Sequence, residues 1–170
     1  MRVAIYPGTF DPLTLGHLDL IQRASQQIEK LFVLVAANEI LQAKSPMFST
    51  ECRVKLIQEA VASLGLKNIE VRSFSGLVSQ EARQLGVKTM IRGVRNPMDL
   101  EYERQLAFMN QAFYPGLETL FLLASPSYSH INSSIVREIL KLIKSTHDSL
   151  DFSHSLSALV PESVLKFLSA

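Results

Sequence analysis

Two periods organise the hydrophobic and polar positions of this chain. Short, nearly unbroken apolar runs, VAIY (3–6), LFVLVAA (31–37), IEVRSF (69–74), VKTMI (87–91) and LETLFLL (117–123), have the length and β-branched content of buried strands. Between them apolar residues return at helical spacing, first Leu18, Ile21, Ala24 and Ile28, then Val54, Ile57, Val61 and Leu64. Ser49 and Thr50 stand where a helix cap is wanted, and Glu51 would sit in the first turn, at the positive end of the helix dipole. Pro97 precedes MDLEYERQLAFMNQAF, a long helix with one polar face. Strand and helix in alternation predict an α/β fold, a doubly wound, five-stranded parallel sheet with helices on both faces.

No segment repeats or is low in complexity. The Ser-rich stretch 145–158 reads as a loop ahead of a last short helix, PESVLKFLSA, whose Pro161 suits a first-turn position. With 170 residues, 47% of them apolar, the expectation is one domain spanning residues 1–170. Charge narrows the functions: 17 basic against 16 acidic side chains leave no footprint for nucleic acid, so an anionic ligand must be handled locally. The lone Cys52 excludes an internal disulfide and fits a reducing compartment. No targeting segment opens the chain and no stretch is apolar enough to span a membrane, so a soluble cytoplasmic protein is expected.

In a parallel sheet of this kind ligands bind at the carboxyl ends of the strands, where the strand order reverses. Four of the five runs are followed there by polar segments: PGTFDPLTLGH, NEILQAKSPMF, RGVRNPMD and SPSYSHINSS. Loops on the opposite side, LGLKN and QLGV, are plain turns. That asymmetry points to a phosphate-rich ligand on one edge.

Each loop offers chemistry beside a bland alternative. Gly8 lets backbone approach a ligand, Thr9 adds a hydroxyl, and Gly16 lets the chain enter a helix whose free amides form an anion site with His17. His17 alone would read as a capping or core histidine; GTFDPLTLGH taken whole is more than a connection needs. Arg92 and Arg95 flank Gly93 just past a predicted strand and could fork onto phosphate oxygens, or pair with Asp99 and Glu103. Ser133 and Ser134 are natural caps whose hydroxyls and amides could receive phosphates. Lys44 taken alone is a solvated lysine.

Thr14-Leu15-Gly16-His17 resembles the T/HxGH signature of the nucleotidyltransferases related to class I aminoacyl-tRNA synthetases. With KSPMF (44–48), IRGVRNPMDLEYERQLAFMN (91–110) and SSIVRE (133–138), the chain is similar to the phosphopantetheine adenylyltransferase family from residue 1 to about 144, and again at LVPESV. The resemblance implies a Rossmann-like fold and transfer of AMP from ATP to 4′-phosphopantetheine, with Mg2+ carried mainly on the ATP phosphates. It makes His17, Lys44 and Arg92 catalytic. ATP would meet Thr9, Phe10, His17, Gly93, Val94, Arg95, Glu103 and the run Tyr128, Ser129, His130, Ile131, Asn132, Ser133, Ser134. Phosphopantetheine would meet Thr9, Lys44, Val78 and Arg92. A homohexamer with coenzyme A as feedback inhibitor is also implied. This chain reads Asn132 where the family has a serine.

An acceptor phosphate is already ionised at neutral pH, which accounts for the lack of an obvious nucleophile and base pair in the sequence. The weighed alternatives are a nucleotidyltransferase acting on nicotinamide mononucleotide or using CTP, and a nucleotide-binding regulator without turnover. A Rossmann dehydrogenase is excluded, since no GxGxxG follows the first run.

Overall fold

The computed structural model describes residues 2–37, 46–146 and 153–169. Five parallel strands, β1 (Val3–Gly8), β2 (Lys30–Ala36), β3 (Ile69–Phe74), β4 (Thr89–Val94) and β5 (Glu118–Leu123), lie in the order β3-β2-β1-β4-β5. The helices are α1 (Leu15–Ser25), α2 (Thr50–Ser63), α3 (Val78–Gln84), α4 (Pro97–Phe113), α5 (Ser133–Thr146), α6 (Ser153–Ser157) and α7 (Glu162–Ser169), with a single 3-10 turn at Pro126–Tyr128 among these residues.

Two-sided burial explains the unbroken apolar runs. Ala4 and Tyr6 of β1 and Leu31, Val33 and Val35 of β2 enter one core with Ile21, Ile57, Val136 and Val164 from α1, α2, α5 and α7. The intervening Ile5, Phe32 and Leu34 enter a second core with Ala82 of α3, Val87, Met90 and Leu117. The expected five-stranded doubly wound sheet is therefore the observed one. Strand order reverses at β1, because β2 and β3 build outward on one side and β4 and β5 on the other.

Boundaries differ from the expectation in three places. Thr89–Val94 replaces 87–91 as the fourth strand, since pairing with β5 continues through Val94 opposite Leu123, and Arg92 and Gly93 thus lie inside the strand. The Ser-rich stretch is not one loop: Ser145 and Thr146 end α5, and Ser153–Ser157 form α6, held by buried Leu156, while 147–152 fall outside the described residues. Pro161 sits one residue before α7, where its carbonyl accepts from the amides of Val164 and Leu165.

α1 crosses β4 closely at Gly93, where an added Cβ would lie 2.3 Å from Cδ1 of the buried Leu20. Gly93→Ala should therefore cost about 1–3 kcal/mol in a urea titration. The cost should shrink in a Leu20→Ala background, where the crowding atom is gone; equal costs in both backgrounds would show that this contact does not govern the crossing.

Candidate functional site

A cavity of about 600 Å³ opens at the carboxyl edge of the sheet, beside the reversal at β1 and β4. Its wall is built from the exit of β1, the start of α1, the end of β4, one turn of α4, the 3-10 turn and the start of α5.

The exit of β1 folds back on itself. Phe10 has φ 51°, the left-handed region, which costs a side-chain-bearing residue about 1–2 kcal/mol and so persists only where its surroundings hold it. Its ring is buried and meets Tyr6 and His17 edge to face, at 5.6 and 5.1 Å between centroids. Gly8 makes this possible, because a Cβ there would stand 2.8 Å from the Phe10 ring. Gly16 lies in the first turn of α1 without a positive φ, and a Cβ added there would be in ordinary contact with the Tyr128 carbonyl.

The start of α1 fixes His17. Thr14 is the N-cap; its hydroxyl accepts from the His17 amide at 3.3 Å, and its own amide donates to His17 Nδ1 at 3.2 Å. A backbone amide can only donate, so Nδ1 is the acceptor and the proton of the neutral ring resides on Nε2. Protonating Nδ1 would set two donors against each other. Burial, then the fields of Arg95 and Arg92, push the imidazole pKa down from 6.5 to about 4. The capping reading of His17 is the observed geometry, and the same residue lines the cavity.

Arg92 donates from Nε and Nη2 to the two carboxylate oxygens of Glu103, both at 2.6 Å, and from Nη1 to the Pro7 carbonyl. Burial lowers the guanidinium's pKa, but the Glu103 carboxylate outweighs it and the net shift is upward. Arg95 is held likewise by Asp99, with Nε to Oδ2 at 2.7 Å. Both arginines line the cavity while resting on carboxylates of α4, so the pairing alternative is the observed geometry.

The cap of α5 is Asn132, whose Oδ1 accepts from the Ile135 amide at 2.9 Å. Ser133 instead donates its hydroxyl to the Pro12 carbonyl, and Ser134 accepts from Arg137. The capping expected of the serines falls to Asn132, leaving the first-turn amides of Ser133 and Ser134 without intrahelical acceptors at the cavity. The preceding 3-10 turn is tied to α1 through Asp19, which accepts from Ser125 at 2.8 Å and from Arg23 at 3.1 Å.

Of the residues singled out from sequence, Thr9, Phe10, His17, Arg92, Gly93, Arg95, Glu103, Tyr128, Ile131, Asn132, Ser133 and Ser134 line this one cavity. Val94 is buried in the interior, Ser129 and His130 are exposed beyond the 3-10 turn, and Val78 packs on the second core; none lines it. Lys44 lies outside the described residues. Asp11, Thr14 and Arg137 join the wall without having been assigned a role from sequence. Arg53, also unassigned, is 1% exposed and reaches the Thr9 carbonyl at 2.6 Å. Its signal was available: it falls four residues before Ile57, in phase with the buried face of α2.

The depressed His17 value sets a direction for stability. The unfolded chain takes up this proton near pH 6.5 and the folded chain only near 4, so stability falls as pH drops through that window and is unaffected above it. The His17 imidazole should titrate near pH 4 by NMR; a midpoint near 6.5 would show that burial and the two arginines do not act on it.

The chain matches the Cytidylyltransferase-like family over residues 5–139. It is 42% identical over 169 residues to the phosphopantetheine adenylyltransferase of Alkaliphilus metalliredigens (strain QYMF), covering 99% of this chain and 98% of that one. To the protein of the same name from Caldanaerobacter subterraneus subsp. tengcongensis it is 40% identical over 168 residues, covering 99% and 96%. The solved structure of a bifunctional NMN adenylyltransferase/ADP ribose pyrophosphatase from Francisella tularensis superposes with a TM-score of 0.66, over 99% of this chain and 48% of that one. At 16% identity that likeness speaks to the fold alone. On identity sustained across nearly its whole length, the chain belongs to the phosphopantetheine adenylyltransferase family, within the wider cytidylyltransferase-like family.

Proposed function

We propose that this chain transfers AMP from ATP to 4′-phosphopantetheine, giving 3′-dephospho-coenzyme A and pyrophosphate, a step of coenzyme A biosynthesis. One observation carries the reading: the neutral His17, the guanidiniums of Arg92, Arg95 and Arg137 and the first amides of α5 line a single cavity, and all are donors to phosphate oxygens. An oxygen of the acceptor phosphate attacks the α-phosphorus in line, the new P–O bond replaces the α–β bond, and pyrophosphate leaves with the electron pair. No proton need be removed from the nucleophile. The chain's tasks are alignment and stabilisation of charge on the transferring group.

His17 supplies a directional hydrogen bond through Nε2. Arg92 takes the acceptor phosphate, exchanging part of its Glu103 contact for it, and Lys44 joins it there. Thr9 and Phe10 border both substrates, Val78 meets the pantetheine arm, and Arg95, Glu103 and the segment Tyr128–Ser134 receive ATP. Among the described residues no group of three His, Cys, Asp or Glu could hold a metal ion, and the Asp11 carboxylate accepts from the Met47 and Phe48 amides. That donor set suits phosphate rather than a metal cage. Mg2+ would ride on the triphosphate, where it neutralises charge.

The same reading covers assembly and setting. Residues 1–170 act as one nucleotidyltransferase domain. Met98, Tyr102, Phe108 and Phe113 of α4 and Leu120 and Leu123 of β5 are exposed apolar side chains that a homohexamer would cover. Coenzyme A, which contains both substrate halves, would compete for the cavity as feedback inhibitor. No helix among the described residues is long and apolar enough to cross a membrane, in keeping with a cytoplasmic enzyme.

The test is pyrophosphate release from ATP and Mg2+ with 4′-phosphopantetheine, beside nicotinamide mononucleotide and CTP controls. Release is expected only with ATP and phosphopantetheine together; release with nicotinamide mononucleotide instead would move the protein to another acceptor. His17→Ala should lower kcat by about 10²–10³-fold while changing ATP affinity far less, because the lost donor acts on charge developed in the transition state. Unchanged turnover would end the assignment of His17.

A further inference from the structure

Two buried charges that the proposed chemistry does not use lie at the cavity, Arg53 behind its wall and Asp11 in it, 1% and 3% exposed. The Arg53 guanidinium donates to the carbonyls of Thr9 (2.6 Å), Ala36 (3.0 Å) and Phe48 (3.1 Å) and to the Thr50 hydroxyl (3.0 Å). It therefore joins the exit of β1, the end of β2 and the start of α2 at one point. The Asp11 carboxylate accepts from the amides of Met47 (2.8 Å) and Phe48 (2.9 Å), while its carbonyl accepts from Arg137 (2.7 Å). Phe48 is thus gripped from both sides, its carbonyl by the cation and its amide by the anion. Between Thr9 and Asp11 stands Phe10, the residue in the left-handed region, whose ring lies edge to face on His17.

We propose that Arg53 is a positioning residue for the cavity, one half of a buried two-charge clamp with Asp11. The clamp fixes the Thr9–Asp11 turn against the start of α2 and so sets where Thr9, Phe10 and the His17 ring stand. A guanidinium suits this post because its planar fork serves several carbonyls at once, which a lysine ammonium at the same place cannot reproduce. Arg53 acts through the turn and not on substrate.

The effect on turnover rests on the proposed adenylyl transfer; a second readout does not. Arg53→Lys is compared with Leu56→Ala, a buried neighbour on α2 that does not line the cavity. Both should lower the urea midpoint. Only Arg53→Lys should lower kcat, by about tenfold or more, since sub-ångström misplacement of a reacting geometry is costly, and only it should shift the His17 imidazole resonances. If the wild type transfers nothing to any acceptor, the proposed function fails while the His17 spectrum still tests the clamp. Wild-type kcat and an unmoved His17 spectrum in Arg53→Lys would overturn the inference, as would Leu56→Ala matching it in both. Should Arg53→Lys not fold, Asp11→Asn loosens the same turn from its other side; it must give the same two changes, and wild-type behaviour there overturns the inference.

Discussion

The hydrogen bond from the Thr14 amide to His17 Nδ1 is where fold and chemistry become one constraint. A parallel sheet forces β1 to end at its carboxyl edge and hand the chain at once to a helix, and that helix must satisfy its first amides. Here the cap is met by a side chain three residues on, and the nitrogen that caps decides the tautomer of the nitrogen that does not. Helix formation, not a catalytic partner, thus orients the ring. The usual device of a carboxylate behind the imidazole is unnecessary, and absence of that negative charge helps keep the ring neutral between two guanidiniums.

Around that bond the cavity wall is assembled from segments distant in sequence, each held by its own buried polar contacts. Asp19 ties the segment after β5 to α1, Ser133 ties α5 to Pro12, and Arg53 ties α2 to Thr9. These are hydrogen bonds to backbone or short side chains in partly or wholly dry surroundings, where an unpaired partner would be costly.

The sheet was legible because burial on both faces leaves each strand an unbroken apolar run, and the helices because one face repeats at 3.6 residues. The end of β4 was not, since Arg92 and Gly93 look like turn residues, and only pairing with β5 keeps them in the strand. Most of the cavity wall was legible through the motif GTFDPLTLGH and the resemblance it carries. What was hidden shares one cause: a single-sequence reading treats charge as exposed. Arg53 and Asp11 are buried because carbonyls and amides, which no side-chain pattern reveals, serve as their partners. The left-handed backbone of Phe10 was hidden for a parallel reason, as it is imposed by the surroundings and not by the residue's own preference.

A chain of net charge +1 that receives phosphates faces an electrostatic problem, and the cavity shows one solution. Unopposed arginines would repel each other and scatter; here Glu103 and Asp99 on α4 hold Arg92 and Arg95. An incoming phosphate takes over part of what the carboxylates hold, and the carboxylates moderate a field that would otherwise retain every anion, leaving group included. Arg137 already adds a third cation to this wall, and a neutral imidazole adds no fourth. It adds a directed N–H without adding charge, and burial, followed by the fields of its arginine neighbours, depresses its pKa and keeps it so.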